Sequence, residues 1–263
     1  MLFEKKVEDL RKIKYGGRET SKFLLDVVKM AEGEVFEYIM GEIKFSDALV
    51  DLTLRPMIPR KETEFWVEQA LHAILGSKKY QEIRGERLEE KGDIDFEVLD
   101  LFSGSGCVGL ASLKNIPFSH VTFIELDAKL KRQIELSAEK NKFATERYEV
   151  KTGSVWEGAK EDFYDVIFAV PPYVPASMKE EVMSELHAEP SLAFFDREGG
   201  FYFHKQIIEG ASKYVKTGGS LFLEFDITQR KGIEELIRNA GYHVYSFLLD
   251  PYYHECAVMI EKR

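Results

Sequence analysis

The sequence predicts an α/β fold, a doubly wound and mostly parallel seven-stranded sheet preceded by a small N-terminal helical part and a β-hairpin bridge. Three observations carry this. From residue 96 onward, short apolar runs (FEVLDLF, HVTFIEL, YEVKT and DVIFAV) alternate with helical patterns that begin at Ser105 and run from about Ala128 to Phe143. Such alternation is what a parallel sheet with crossover helices on both faces produces. A glycine-rich segment, GSGCVG, directly follows the first run. The C-terminal part reads as a strand GGSLFLEF, a helix ITQRKGIEELIRNAG and two strands, YHVYSFLL and ECAVMIEKR, joined by a turn at Asp250-Pro251.

Upstream of the alternating region, residues 1–32 place Leu2, Phe3, Val7, Leu10, Phe23, Leu24, Val27 and Val28 at helical spacing, interrupted by Gly16-Gly17. They read as two short helices. Residues 33–60 shift to β-rich pieces with Val35, Phe36, Tyr38, Ile39, Ile43 and Phe45, ending at Pro56 and Pro59, and suit a hairpin-like bridge. A helix is expected from near Lys61, with Phe65, Val67, Ala70, Leu71 and Ile74 inward and Gly76 as its stop. Residues 77–95 are highly charged and read as a solvated connector. The expected organisation is a helical region over 1–32, the bridge over 33–60, and the main domain over 61–263.

Composition narrows the function classes. The chain has 263 residues, a net charge of −10, 44% hydrophobic and 31% charged residues, the balance of a folded soluble protein. No apolar run is long enough to cross a bilayer and the N-terminus lacks a signal-peptide pattern, so a cytoplasmic location without membrane contact is expected. The negative charge argues against direct nucleic-acid binding over a broad basic face. Cys107 and Cys256 lack CxxC spacing and the six histidines are scattered singly, so no metal is assigned. A monomer is expected.

The chemistry concentrates at strand ends. Gly104, Gly106 and Gly109 have GxGxxG spacing between a strand and a helix, where glycines allow a sharp turn and close approach of a ligand to the helix N-terminus. Glu125 lies nineteen residues beyond Gly106 at the end of the next apolar run, placed to accept hydrogen bonds from both ribose hydroxyls. These two signals suit NAD or S-adenosylmethionine alike. Asp100, at the strand end before the glycines, favours S-adenosylmethionine, because a carboxylate there meets the ligand's amino group but repels a pyrophosphate. The candidate cofactor-binding residues are Asp100, Phe102, Gly104, Ser105, Gly106, Glu125, Leu126, Ser154 and Val155. The run DVIFAV then leads into Pro171-Pro172-Tyr173, a rigid turn at a strand's carboxyl end whose tyrosine can stack on an amide or a base.

Taken together, GEVFEYIMGEIKF, MIPRKETEFWVEQAL, VLDLFSGSGCVGLA, PPYVP, EPSLAFFDREGG, KTGGSLFLEF and NAGYHV occur in one order from Gly33 to the C-terminus. In this the chain resembles the HemK/PrmC protein-(glutamine-N5) methyltransferases that modify peptide-chain release factors. The resemblance implies a class I S-adenosylmethionine-dependent methyltransferase fold, a release factor as protein partner, and attack of a glutamine amide nitrogen on the cofactor's methyl group. In the family an (N/D)PPY motif does this work: its first residue and a proline carbonyl accept the amide hydrogens and the tyrosine packs on the amide plane. Carried over, the catalytic set is Val170, Pro171, Pro172 and Tyr173, and the substrate-binding set is Pro59, Arg60, Glu62 and Tyr173.

Three departures from the family pattern stand out. Val170 offers no side-chain acceptor, Ser154 occupies a position usually acidic, and only 32 residues precede the GEVFEYIMG block. An S-adenosylmethionine-binding relative with reduced transfer, or a methyltransferase for another amide or a base amine, therefore stays open beside the main reading. The residues around Arg60 equally suit a capped helix joining two parts of the chain, with Glu62 and Glu64 at the positive end of the helix dipole.

Overall fold

A computed structural model describes residues 2–88 and 96–263. The chain opens with α1 (Leu2–Asp9), continued by a π-helical turn over Leu10–Lys14, and α2 (Ser21–Ala31), capped by the Thr20 hydroxyl on Phe23 N–H. Leu10, Phe23, Met30 and Ile39 form a small core here. Asp26 binds it together by accepting from Lys14 Nζ and Tyr15 OH, both at 2.7 Å. Leu2, Phe3, Leu24 and Val28 stay exposed, although helical spacing had placed them on the expected apolar stripe.

Next come α3 (Phe36–Met40) and the hairpin of β1 (Glu42–Phe45) and β2 (Ala48–Asp51). The β-rich reading of residues 35–39 is corrected. VFEYIM closes one helical turn because Gly41 takes a left-handed conformation and donates to Glu37 O, while Tyr38 is held by its bond to Pro56 O and by Arg55 over its ring. The hairpin is stitched to the main sheet's helix layer by Ser137, Asn141 and Gln133, which bond the backbone of Asp51, Leu49 and Leu54.

Helix α4 (Lys61–Gly76) buries Thr63, Trp66, Val67, Ala70, Leu71 and Ile74, a continuous stripe at 3.6-residue spacing. The expected inward Phe65 lies on the exposed side, and Trp66 takes the core position. Helix α5 (Lys78–Leu88) replaces the expected connector. Two apolar residues three apart suffice: Tyr80 and Ile83 are buried, with Tyr80 edge-on to Phe96 at 5.5 Å. The rest of that expected connector, residues 89–95, lies outside the described residues.

The remaining elements are β3 (Phe96–Leu101), α6 (Cys107–Asn115), β4 (Ser119–Glu125), α7 (Ala128–Asn141), β5 (Tyr148–Thr152), β6 (Tyr164–Ala169), the short β7 (Val174–Pro175), α8 (Lys179–Glu185), the short β8 (Phe195–Asp196), α9 (Tyr202–Tyr214), β9 (Val215–Glu224), α10 (Arg230–Asn239), β10 (Tyr245–Leu249) and β11 (Glu255–Glu261). The main sheet has the order β10-β11-β9-β6-β3-β4-β5, with β11 alone antiparallel to its neighbours. The seven expected strands are all present and mostly parallel.

One face of the sheet packs on α4, α6, α7 and the hairpin, with Trp66, Phe123, Phe168 and Phe222 at its centre. The other packs on α9 and α10 through Ile207, Ile208, Ile233 and Ile237. From β3 the chain moves outward through β4 and β5, then returns to the other side of β3 as β6. That reversal opens a crevice at the carboxyl ends of β3 and β6, the usual ligand position in such sheets.

Helix α6 lies so close to β4 that a methyl group on Gly109 would stand 2.2 Å from the Phe123 ring. Gly109→Ala should cost about 1–3 kcal/mol through forced displacement of the buried ring. Urea unfolding measures this, and an unchanged midpoint would contradict the packing.

Candidate functional site

The first half of the site grows from the turn after β3. Phe102, Gly104 and Gly106 all adopt positive φ (58°, 53° and 80°), which folds the chain sharply into α6. Ser103 pins the turn by donating to Asp100 O at 2.7 Å. Asp100 is 2% exposed, and its Oδ2 accepts from Gly109 N at 2.9 Å, so the carboxylate is turned onto the first turn of α6. Burial pushes Asp100 up to about 7 against the opposing Gly109 bond, with the Glu125 charge adding to the rise.

Glu125, the last residue of β4, reaches across this turn. Its Oε2 accepts from Gly104 N at 2.7 Å and its Oε1 from Asp127 N at 2.8 Å. Each carboxylate oxygen keeps acceptor capacity beyond these bonds. Burial raises Glu125 too, despite both N–H groups. Gly153 N donates to Glu125 O at 3.0 Å, which draws the loop after β5 alongside. In that loop Ser154 is exposed and Val155 is buried at φ 48°. Leu126 is an exposed apolar side chain, and Phe102 meets Phe203 edge-on at 5.1 Å. The structure thus gathers the nine residues expected to bind a cofactor around the ends of β3, β4 and β5.

The second half lies where β6 ends. Ala169 pairs with Leu223 and Phe168 with Phe222, so Val170 follows on beside Glu224, the last residue of β9. Residues two apart along a strand share a face, and Val170 accordingly packs against the core that contains Phe168 and Phe222. Pro171 is buried, while Pro172 and Tyr173 are half-buried.

Glu224 was not anticipated, and it organises this half of the site. Its Oε2 accepts from Thr63 Oγ1 at 2.7 Å and Trp66 Nε1 at 2.6 Å, both on α4. Its Oε1 accepts from Tyr173 OH at 3.1 Å. Burial raises this carboxyl, while hydrogen bonds from Trp66, Thr63 and Tyr173 pull it back down. Burial, reinforced by the Glu224 charge, lifts Tyr173 well above the ordinary phenol range and keeps it a neutral donor.

The backbone around Tyr173 is held as firmly as its hydroxyl. Gln229 Nε2 donates to Tyr173 O at 3.1 Å and to Gly200 O at 3.0 Å. His204, fully buried, sets Nδ1 3.0 Å from Gly200 O and Nε2 2.9 Å from Glu224 O. Gly200 has φ 90°, and a methyl group there would stand 2.2 Å from Tyr173 O. The REGG segment therefore closes directly on the PPY turn.

Arg60 and Glu189 connect two segments far apart in sequence. Arg60 donates to Glu189 Oε1 at 2.7 Å, and Ile58 N–H donates to Oε2 at 2.9 Å. Arg60 is the residue before α4, Pro59 is half-buried beside it, and Glu62 is exposed in the helix's first turn. Of the four residues expected to hold substrate, Arg60 is engaged by Glu189, a pairing not expected from the sequence. Glu224 carried a legible signal: like Asp100 and Glu125, it is an acidic residue at the end of an apolar strand.

Comparison with known proteins accords with this geometry. Residues 83–206 match the family model described as "Conserved hypothetical protein 95". The release factor glutamine methyltransferase of Thermodesulfovibrio yellowstonii is 30% identical over 218 residues, covering 82% of this chain and 72% of that protein. The one from Streptococcus pneumoniae is 29% identical over 222 residues, covering 84% and 72%. A bifunctional methyltransferase of Rickettsia felis is 28% identical over 82% of this chain and 43% of its own length. Among solved structures, the hMettl16 catalytic domain in complex with MAT2A 3′UTR hairpin 1 shares the fold at TM-score 0.61 and 13% identity, covering 99% of this chain and 91% of that chain. The ribosomal protein L11 methylase of Lactobacillus delbrueckii subsp. bulgaricus does so at TM-score 0.54 and 12% identity, covering 81% and 84%. With the fold, the ordered strand-end motifs and two release factor glutamine methyltransferases matched over 72% of their length, the chain belongs to the release factor glutamine methyltransferase family.

Proposed function

We propose that this protein transfers a methyl group from S-adenosylmethionine to the side-chain amide nitrogen of a glutamine in a peptide-chain release factor. The observation that carries the reading is the rigid PPY turn, fixed by Glu224, Gln229 and Gly200, beside a crevice floored by the buried carboxylates Asp100 and Glu125. That floor suits a cationic ligand and disfavours a pyrophosphate. Asp100 and the Gly104–Gly106 turn would hold the amino acid end, Glu125 the ribose hydroxyls, and Leu126 and Val155 the flat apolar base. When bound, S-adenosylmethionine supplies an electrophilic methyl group on a positively charged sulfur.

An amide nitrogen is a weak nucleophile, so the protein's contribution is positioning and acceptance of hydrogen bonds as positive charge develops. Tyr173 offers its ring to the amide plane, and the Pro171 region offers backbone acceptors in an extended conformation. The Glu189–Arg60 brace sets the entrance of α4 against the EPSLAFF segment, where a peptide would enter. Val170 favours slower transfer within the same chemistry, since it presents methyl groups where an amide N–H needs an acceptor.

Methyl-labelled S-adenosylmethionine, offered together with a release factor and DNA, should label the release factor. Label on the nucleic acid instead would sink the reading. Val170→Asn should raise the transfer rate at least about tenfold with little change in cofactor affinity, because the added carbonyl acts mainly in the transition state. Equal rates for the two forms would place the limitation elsewhere.

Glu125→Ala should weaken cofactor binding by about 1–3 kcal/mol through loss of charge-assisted hydrogen bonds. Calorimetry reads this directly, and unchanged affinity would remove Glu125 from the site. The rise of Asp100 to about 7 predicts a pH dependence as well. A cationic ligand needs the ionised carboxylate, so affinity should be full above about 7 and fall below it, approaching about tenfold per pH unit. In the ligand-free protein the same rise works against the fold. Its cost is fully present above about 7, shrinks as pH falls toward the ordinary value of 3.8, and vanishes below that. Asp100→Asn should flatten the binding profile, and a variant that keeps the native pH dependence would exclude Asp100 as its origin.

A further inference from the structure

Glu224 is a buried carboxylate without an ion-pair partner among the described residues. The charged and titratable groups that act on it among the described residues are Glu62 on α4, Tyr173 in the turn after β6, Cys107 on α6 and Cys256 on β11, with Asp226 acting on Tyr173 in turn. None is cationic. His204, which faces its backbone oxygen, is held toward the neutral form by burial. A carboxylate excluded from water and left without a counter-charge is costly, so a site that keeps one has a use for positive charge that arrives with a ligand.

Its two oxygens are also unequal. Oε2 is filled by two short bonds from α4, whereas Oε1 has the single, longer bond from Tyr173 OH. The strand register places this carboxyl on the same face as Val170 and in the adjacent strand, next to the position that has no side-chain acceptor here.

We propose that Glu224 Oε1 accepts an N–H of the substrate glutamine amide and takes its proton in the transfer, reaching from β9 as an incomplete substitute for the side-chain acceptor that Val170 lacks, which leaves Val170→Asn its gain in rate. This rests on the glutamine-amide reading above. The bookkeeping of atoms is simple. The amide nitrogen's lone pair forms the N–C bond to the methyl group, the C–S bond breaks with its pair passing to sulfur, and the N–H proton moves to Oε1, from which water removes it as product leaves. The raised proton affinity of Glu224 suits its uptake of the proton, and Tyr173 OH remains beside it as a donor throughout.

The test compares two peptides in the presence of S-adenosylhomocysteine: one with the target glutamine, the other with its methyl ketone analogue, in which CH3 replaces NH2 so that the shape is nearly kept and no N–H remains. The variant is Glu224→Gln. Trp66 Nε1–H can only donate, so it holds the new carbonyl and turns the NH2 group toward the substrate. The native chain should prefer the glutamine peptide by about tenfold to 100-fold, as for a hydrogen bond to a buried charge, and Glu224→Gln should cut that preference by about tenfold, to what the backbone acceptors alone supply, and lower the transfer rate at least as far. Tyr173→Phe should keep the preference, which separates acceptance from a mere brace.

Should Glu224→Gln fail to fold, Glu224→Asp decides the matter, since it keeps the charge and withdraws the acceptor by one methylene. An undiminished preference in the Glu224 variants overturns the proposal while leaving the glutamine reading intact. A native chain that neither binds nor methylates the glutamine peptide overturns both.

Discussion

The carboxylate of Glu224 is the point on which the reactive half of this protein depends. A single buried group at the end of β9 receives Thr63 and Trp66 from α4 and Tyr173 from the turn after β6. Its own backbone oxygen faces His204, whose other nitrogen faces Gly200 O, and Gln229 joins Gly200 O to Tyr173 O. The result is a ring of polar contacts around one tyrosine, in which neutral His204 donates to one of the two carbonyl oxygens it faces. Removing a partner from such a ring leaves a buried polar group unsatisfied, which costs more than the bond itself contributed. The PPY turn therefore behaves as part of the core although its ring remains half-buried.

The same economy of charge runs through the other half of the site. Asp100 is the penultimate residue of β3 and Glu125 the last of β4, as Glu224 is the last of β9. Burial raises all three above their ordinary range. A crevice built this way repels phosphates and is relieved by a cation. The Glu189–Arg60 pair stands apart from this pattern, because there the protein supplies its own cation and uses the pair to join two distant segments.

Much of this was legible in the sequence, and for identifiable reasons. Strand–helix alternation, the glycine spacing and the acidic strand ends are local patterns, and they located the seven strands, the turn after β3 and the PPY turn. Expectations failed where tertiary contacts outvote local preference. VFEYIM looked extended but is closed into a helix by Gly41; Phe65 and Trp66 are adjacent apolar residues, and only the Glu224 acceptor shows why Trp66 turns inward. The charged segment after Gly76 hid a helix that, among its described side chains, packs through Tyr80 and Ile83. The Arg60–Glu189 bond spans 129 positions, and no periodicity announces a pairing at that separation.

The central claim is that a glutamine amide lies between the PPY turn and the cofactor crevice. A crystal structure of the protein with S-adenosylhomocysteine and a release factor peptide tests it most directly. The account predicts the cofactor's ribose on Glu125, and the glutamine amide packed on the Tyr173 ring with its N–H groups within hydrogen-bond distance of the Val170–Pro171 backbone and Glu224. A peptide bound elsewhere, or an ordered glutamine pointing away from Tyr173, would contradict it.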